Sequence, residues 1–363
     1  MRGPRVSPES PASRIVGPNP RGAIGRVSLA VRRALRGCPA GGSALVALSG
    51  GADSLALALA VIDAGTRAGL QVVTVTVDHA LRPESAREAA RAAEMAERLG
   101  ARARVVRVEV GDEGGPEGAA RSARLAALAQ CARAEAAPVL LGHTMDDQAE
   151  TVLLRLARGS GASSLRAMSP DITDEGGVRW IRPLLGVRRA DTRGACAQAG
   201  LTWIEDPSNE PEGPWRAEDG SPLRRAAVRA HAIPMLAEAL KTDPIPALAR
   251  SAELASRDDE ALELWASREW GRARRTVRVH DGDAPALSLH ALEGLPRAVR
   301  TRIERRFALE AGARPSALSS IHIDALDALV TDWHGQGPLD LPGVMVKRMR
   351  DPRGLPVLVT VRP

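Results

Sequence analysis

The first half of the chain alternates short apolar runs with longer stretches typical of helices. Four runs have the length and the Val and Leu content of buried strands: 44–48, 72–77, 103–110 and 139–143. A helical stretch follows each of them: 55–64, 83–99, 119–135 and 146–156. Uninterrupted apolar runs suit strands that are buried on both faces, as in a parallel sheet. The pattern therefore predicts an α/β fold with a doubly wound parallel sheet and right-handed crossovers.

The pattern changes after Arg158 and suggests the domain boundaries. Residues 1–22 hold five prolines and four arginines without apolar periodicity, which predicts a disordered leader. We expect the α/β domain over 23–215, ending in a linker rich in Pro, Glu, Asp and Gly. A helical domain is expected over 216–311, and a small C-terminal segment with short strands over 312–363.

Composition excludes several classes of protein. No apolar run is long enough to cross a bilayer, so we expect no membrane partner. Cys38, Cys131 and Cys196 are far apart, which gives no support to a disulfide framework or a CxxC site and fits a cytoplasmic protein. The two lysines, Lys241 and Lys347, follow no glycine-rich turn, which excludes a Walker-A P-loop. No obligate protein partner is evident.

The formal net charge is +6, and part of the excess is clustered. The stretch 271–306 has nine arginines against four acidic residues. Such a cluster indicates a polyanionic partner, and arginine suits bidentate contacts with phosphate. A solvated basic surface is the alternative reading of the same cluster.

A glycine turn follows the first predicted strand. Ser49, Gly50 and Gly51 precede a helix, whose free N–H groups and dipole favour an anion such as phosphate. Asp53 lies in the same turn and would repel a phosphate unless a cation such as Mg²⁺ sat between them. Alternatively, Asp53 only complements the positive end of the helix.

Ionisable residues also follow the fourth predicted strand. Asp147 and Glu150 are three residues apart and share a helix face, and His143 precedes Asp147 by four residues. Three interpretations stay open: a metal site of these residues, acids at a helix start without a further role, or carboxylates that hold Mg²⁺ or a cationic substrate.

These segments resemble known motifs. Residues 49–54 resemble the SGGxDS signature of the PP-loop ATP pyrophosphatases, and residues 142–151 resemble the GHxxDDxxET motif of one branch, the tRNA(Ile)-lysidine synthetases. Four more motifs of that branch, VDHxLR, LLRxxRGSG, (I/V)RPLL and EDPTN, are matched in order by 77–82, 155–161, 181–185 and 205–209. The resemblance covers about residues 44–236 and weakens towards the C-terminus.

The chain departs from this branch at two motifs. Leu125 replaces the Tyr of ARxxRY, and Ala226 and Ala227 replace the Asn and the central Arg of RNRLR. The first change weakens any stacking role at position 125. The second puts some contacts with lysine or RNA in doubt.

The resemblance implies an activity. The branch adenylates the C2 oxygen of the wobble cytidine in an isoleucine tRNA with a CAU anticodon, using ATP and Mg²⁺. The ε-amine of free L-lysine then displaces AMP. Carried over by position, the residues implied to bind the nucleotide are Ser49, Gly50, Gly51, Ala52, Asp53, Ser54, His79, Gly142 and His143.

The remaining roles are carried over in the same way. Asp53 is implied to bind the metal, and Asp147, Glu150 and Arg225 the lysine, with Arg225 on its carboxylate. The residues implied to be catalytic are Asp53, Asp146, Asp147, Glu150 and Arg121. Segments 272–278 and 297–306 are the candidates for RNA contact. His79 and His143 have either a catalytic or a structural role.

Two other functions are alternatives to this one. A PP-loop tRNA sulfur transferase usually needs paired cysteines, which this chain does not offer. A non-catalytic RNA-binding protein would not need Asp53, Asp147 and Glu150, which are all present.

Overall fold

The structure is a computed structural model. It describes residues 9–80, 83–111, 115–159, 161–205, 213, 221, 223–279 and 282–361, without the side chains of 115–117 and 162. The EDPTN-like residues after Glu205 lie outside this part. The chain forms two compact units, Met1–Ser256 and Arg257–Pro363. The boundary between them lies inside one long helix, whereas the sequence pattern suggested boundaries at 215 and 311.

A six-stranded sheet forms the centre of the first unit. The strands are β1 (Ser43–Ala47), β2 (Gln71–Asp78), β3 (Arg102–Arg107), β4 (Val139–Leu140), β5 (Asp171–Thr173) and β6 (Arg179–Ile181). Their order is β3-β2-β1-β4-β6-β5, and all neighbours are parallel except β5 and β6. The predicted α/β sheet is confirmed. The pattern missed β5 because its three residues are all exposed.

Helices cover this sheet. They are α1 (Pro11–Val16), α2 (Gly22–Ala34), α3 (Ala52–Ala68), α4 (Ser85–Leu99), α5 (Gly115–Ala134), α6 (Met145–Leu156), α7 (Ala162–Leu165), α8 (Arg189–Gln198), α9 (Arg224–Ala227), α10 (Ile233–Leu240) and α11 (Pro244–Ala273). A π-helical turn, Val228–Ala232, joins α9 to α10. Helix α3 is buried on nearly every side, since it packs against α1, α2, α8 and the sheet. Its N-terminus is thereby fixed at the end of β1.

The leader differs from the prediction of disorder over the part that the structure describes. The Ser10 hydroxyl accepts a hydrogen bond from the Ser13 N–H, and Pro11 occupies the first turn of α1. Ala12 and Val16 are buried in the core of the first unit. A helix of six residues is too short to show apolar periodicity, so its order depends on tertiary packing.

Over the described residues, the second unit contains a five-stranded antiparallel sheet, the C-terminal half of α11 and three further helices. The strands are β7 (Arg274–Val279), β8 (Gly282–Ser288), β9 (Leu339–Leu341), β10 (Val344–Arg350) and β11 (Pro356–Val361), in the order β7-β8-β11-β10-β9. The helices are α12 (Leu289–Leu292), α13 (Arg297–Glu310) and α14 (Ser320–Thr331). Their core surrounds Phe307, the one phenylalanine of the chain.

The strands β9 to β11 lie where short strands were predicted. The prediction of helices was wrong for β7 and β8. Arginines at alternate and adjacent positions of β7 hide the alternation that normally identifies a strand, and only Val277 of that strand is fully buried. Within the described residues, we find no helix that combines the length and the apolar character needed to span a bilayer.

Candidate active site

The two predicted motifs meet at the carboxyl edge of the sheet. Strands β1 and β4 are parallel neighbours, with Leu45 opposite Val139 and Val46 opposite Leu140, so the turns after them lie side by side. A Cβ atom on Gly142 would lie 3.1 Å from backbone atoms of Asp53 and Ser54. Glycine at 142 therefore allows the turn after β4 to pack directly on the start of α3.

The glycine turn is held in place by Ser54. Its hydroxyl donates to the Gly51 carbonyl at 2.9 Å and accepts from the Ser49 N–H at 3.1 Å. Gly50 has a φ of +85°, and Gly51 precedes α3 without any side chain to cap the helix. Ser49 is exposed and Gly51 half-buried. The turn is therefore open to solvent on one side, as an anion site at a helix N-terminus requires.

The segment before Glu205 covers the other side of this turn. The Ile204 N–H donates to the Gly50 carbonyl at 3.0 Å, and a Cβ atom on Gly50 would lie 2.7 Å from the Ile204 Cδ1 atom. Any side chain at position 50 would thus clash with Ile204 as well as strain the backbone.

Three predicted acids converge around one arginine. The Arg189 guanidinium lies 3.4 Å from Asp53 Oδ2, 2.8 Å from Asp147 Oδ1 and 3.0 Å from Glu150 Oε1. Arg189 is the first residue of α8 and has only 16% of its side chain exposed. The sequence offered no sign of this contact, because Arg189 stands 39 residues after Glu150 and matches none of the motifs considered.

Two further arginines reach the same acids. Arg229 Nε lies 2.8 Å from Glu150 Oε1, and Arg225 Nε lies 3.6 Å from Glu150 Oε2. Glu150 is fully buried, and burying a carboxylate is costly unless it is paired and hydrogen-bonded in this way. Arg229 also lies 3.7 Å from Asp147. The three predicted acids are therefore paired with arginines of the chain itself.

Asp147 has a second task at the start of α6. Its Oδ2 atom accepts hydrogen bonds from the Thr144 N–H and hydroxyl, both at 2.8 Å, which closes a capping box. Burial alone would raise the pKa of Asp147, but Arg189, His143 and the Thr144 donors together hold it below its usual range. Asp147 is thus an ionised, rigidly placed carboxylate.

Asp53 has a different environment. Burial raises the pKa of Asp53 above its usual range, although the Thr192 hydroxyl, which donates to Oδ1, and Arg189 both oppose this. A cation placed beside Asp53 would offset the cost of burying its charge. Among the residues that the structure describes, we find no group of three or more His, Cys, Asp or Glu side chains arranged to bind a metal.

Other predicted site residues lie elsewhere. Asp146 points to α8, where its Oδ2 atom accepts from the Arg189 N–H at 2.8 Å and from Arg188 Nε at 3.2 Å. Arg121 is exposed on α5. His79 and His143 are half-buried, and burial lowers the pKa of both, that of His143 to about 3. A neutral imidazole at that pKa is a poor proton carrier near neutral pH.

The arginines predicted to contact RNA divide into two groups. Arg300 is paired with Asp327 and Arg302 with Asp259, and both arginines are largely buried in the second unit. Arg274, Arg275 and Arg278 of β7 are exposed instead. The internal pairs stabilise the fold, so the exposed side of β7 is the better candidate for a polyanion surface.

Comparison with known proteins identifies two family models in the chain. A PP-loop domain matches residues 32–231, and a TilS substrate binding domain matches residues 287–351. The "U34-tRNA thiolase NcsA" of Methanococcus maripaludis aligns with a TM-score of 0.51 at 16% identity, over 64% of this chain and 79% of that one. This likeness supports the PP-loop fold alone.

Curated relatives match nearly the whole chain. The tRNA(Ile)-lysidine synthase of Thermobifida fusca is 47% identical over 92% of this chain and 97% of its own length. The tRNA(Ile)-lysidine synthase of Leifsonia xyli is 47% identical over 85% of this chain and 88% of its own. The motifs, the sheet that joins them and these matches agree, and the chain belongs to the tRNA(Ile)-lysidine synthase family.

Proposed function

We propose that this chain joins free L-lysine to C2 of the wobble cytidine in an isoleucine tRNA with a CAU anticodon. ATP is consumed, and AMP and diphosphate are released. The contact between the turn after β1 and the turn after β4 supports this proposal most directly. It places an anion site at a helix N-terminus beside carboxylates that bind cations, as a reaction between a nucleotide and an amine requires.

The nucleotide is proposed to bind at the start of α3. Its phosphates would accept from backbone N–H groups around Gly50 and Gly51, while Ser54 keeps the turn in shape. Mg²⁺ would be held by Asp53 together with phosphate oxygens and water, which is its usual coordination, and would supply counter-charge for the phosphates. Asp53 fits this role because its carboxylate is largely removed from water and lies in the first turn of α3, next to the glycine turn.

Lysine is proposed to bind at Asp147 and Glu150. The Arg189 guanidinium lies within hydrogen-bond distance of both acids, which supports a cation site at this place. An incoming ammonium group would share or displace these contacts. As the amine attacks C2 and AMP leaves, the amine must lose a proton, which Asp147 or Glu150 would accept. Arg225, 3.6 Å from Glu150, is suitably placed for the lysine carboxylate.

One assay tests the function directly. The full chain is incubated with ATP, an anticodon stem–loop RNA and labelled lysine, and label transfer to RNA is compared with that from labelled cysteine or glutamine. We expect transfer from lysine alone. Transfer of cysteine sulfur would favour a sulfur transferase, against which stand three cysteines that are all free, two of them buried.

Two variants test the assignment of residues. Asp53→Asn should abolish diphosphate release without unfolding the chain. Asp147→Ala should raise the KM for lysine far more than the KM for ATP. Arg133→Gln, an exposed change on α5, should leave both values unchanged. Equal effects of Asp147→Ala on both KM values would contradict the proposed lysine site.

A further inference from the structure

A group of buried arginine and histidine side chains beside the proposed active site has nitrogen atoms without a partner. Three of its members follow parallel strands: His79 follows β2, His143 follows β4 and Arg182 follows β6. Leu140 of β4 and Ile181 of β6 are register partners, so the exits of these strands are adjacent. Arg124 comes from α5 and Arg225 from α9. We call Arg124 and Arg182 the cationic cluster; His143 beside them is neutral, and Arg225 is already paired with Glu150.

Buried nitrogen atoms of this group have no hydrogen-bond partner among the described residues. They are Arg124 Nε, Arg182 Nε, His143 Nδ1 and His79 Nδ1. Arg182 does donate through Nη1 to the Ser169 carbonyl at 2.8 Å, and Arg225 through Nη2 to the Thr151 hydroxyl at 2.9 Å. Buried polar atoms nearly always have a hydrogen-bond partner in folded proteins. Several nitrogen atoms without a partner in one place therefore indicate that a ligand binds there.

Electrostatics point to an anionic ligand. Burial lowers the pKa of Arg124, and the charges of Arg121 and Arg225 lower it further. Arg182 is affected in the same way by burial and by Arg121. The nearby carboxylates of Asp147 and Glu150 do not compensate, because Arg189, Arg225 and Arg229 already pair with them. The cluster therefore has an excess of positive charge.

The kind of anion follows from the same charges. The α-carboxylate of an amino acid is accompanied by an α-ammonium group, which this cluster would repel. A phosphate group has no cation of its own, and guanidinium groups bind it through paired hydrogen bonds. We propose that Arg124 and Arg182, beside the neutral His143, bind a phosphate group of a substrate, either of the RNA strand beside the target cytidine or of the nucleotide. The proposal rests on the function proposed above.

Thermal unfolding with inorganic phosphate tests the site without any need for activity. Phosphate should raise the Tm of the wild-type chain, and Arg124→Gln and Arg182→Gln should each remove most of that rise. Without phosphate, both variants should have an unchanged or higher Tm, since each removes a buried repulsion. Arg133→Gln is the matched control, because it removes the same charge from an exposed position of α5. A lower Tm with an undiminished phosphate response would overturn the proposal.

Two binding measurements separate the sources of the phosphate. Labelled anticodon stem–loop RNA is titrated without ATP, and ATP is titrated without RNA. If the RNA supplies the phosphate, the two variants weaken RNA binding about tenfold or more, reduce its salt slope by about one and leave ATP binding unchanged. If the nucleotide supplies it, ATP binding weakens instead. Unchanged affinity for both ligands would contradict the proposal.

The outcomes also distinguish this site from the proposed function. If the chain binds phosphate through the cationic cluster but transfers no lysine, the phosphate site is supported and the proposed function is contradicted. If both variants transfer lysine at the wild-type rate, and phosphate does not raise the Tm of the wild-type chain, the proposed function is supported and the phosphate site is contradicted.

Discussion

Replacing Arg189 by Gln tests whether one internal cation holds the acidic site together. The change removes the guanidinium from Asp53, Asp147 and Glu150 at once and leaves a side chain that still fills part of the space. Three carboxylates would then face one another with Arg229 and Arg225 as their remaining cationic partners. We expect the folded state to lose stability and the pKa of Asp147 to rise.

The size of the loss can be worked from the contacts. Removing one partner of a buried ion pair typically costs about 3–5 kcal/mol, because the other charge stays buried without compensation. Arg189 is mostly but not wholly buried, and Arg229 still reaches Glu150 at 2.8 Å. We therefore expect the lower end, a loss of about 3 kcal/mol in the free energy of unfolding near neutral pH.

The pH dependence has a definite sign. In the wild-type chain the folded-state pKa of Asp147 is lowered, so its stabilisation is present above its unfolded pKa and is lost as pH falls. Without Arg189, we expect burial to raise the folded-state pKa of Asp147 above its unfolded value. Stability then falls as pH rises, so the difference from wild type should be larger near about pH 8 than near about pH 5.

Urea unfolding at the two pH values measures these differences. Arg193→Gln is the matched control, because Arg193 lies on the same helix with an exposed pair to Glu205 and should change stability by less than about 0.5 kcal/mol. Combining Arg189→Gln with Asp147→Asn should show a coupling of about 1–3 kcal/mol. Strict additivity, or a loss independent of pH, would refute the reasoning.

Three further substitutions test other parts of the structure. Gly142→Ala puts a methyl group 3.1 Å from the backbone of Asp53 and should weaken ATP binding measured by calorimetry, whereas Gly118→Ala, which meets open space, should not. Thr192→Val removes the hydroxyl that donates to Asp53, so the pKa of Asp53 should rise further and the acidic limb of ATP-dependent diphosphate release should move to higher pH. Glu304 is fully buried, and burial together with Asp327 raises its pKa to about 9. The folded chain therefore keeps a proton that the unfolded chain loses above its ordinary pKa, and stability falls with pH by up to about 1.4 kcal/mol per unit; Glu304→Gln should flatten that slope in urea unfolding.

The sheet and the two turns could be predicted because their signals are local. The apolar runs of β1, β2 and β4 can be recognised without knowing their partners. Each run is followed closely by glycine or by ionisable residues. Adjacent parallel strands then bring Asp53 and Asp147 to one edge. Hydrophobic pattern and sheet topology together thus locate the candidate site.

The charge balance of the site could not be predicted in this way. Arg229 pairs with Glu150 across 79 residues, and its match to the last arginine of the RNRLR motif does not reveal this partner. The same holds for Arg300 and Arg302, which belong to a basic stretch yet are used inside the second unit. Ion pairing depends on which side chains the fold brings within about 4 Å, so it follows tertiary structure rather than composition.

This balance would allow one edge of the sheet to receive both the nucleotide and the amine of the proposed reaction. A site with acids alone would repel phosphate, and a site with cations alone would repel an ammonium group. Here Arg189 neutralises the acids next to the glycine turn, while the cationic cluster stays without an anion. If substrates replace internal partners in this way, binding exchanges one ion pair for another of similar energy and avoids stripping water from a bare buried charge. Arg189→Gln should then change the KM for lysine and the pH profile together, because both depend on the same three carboxylates.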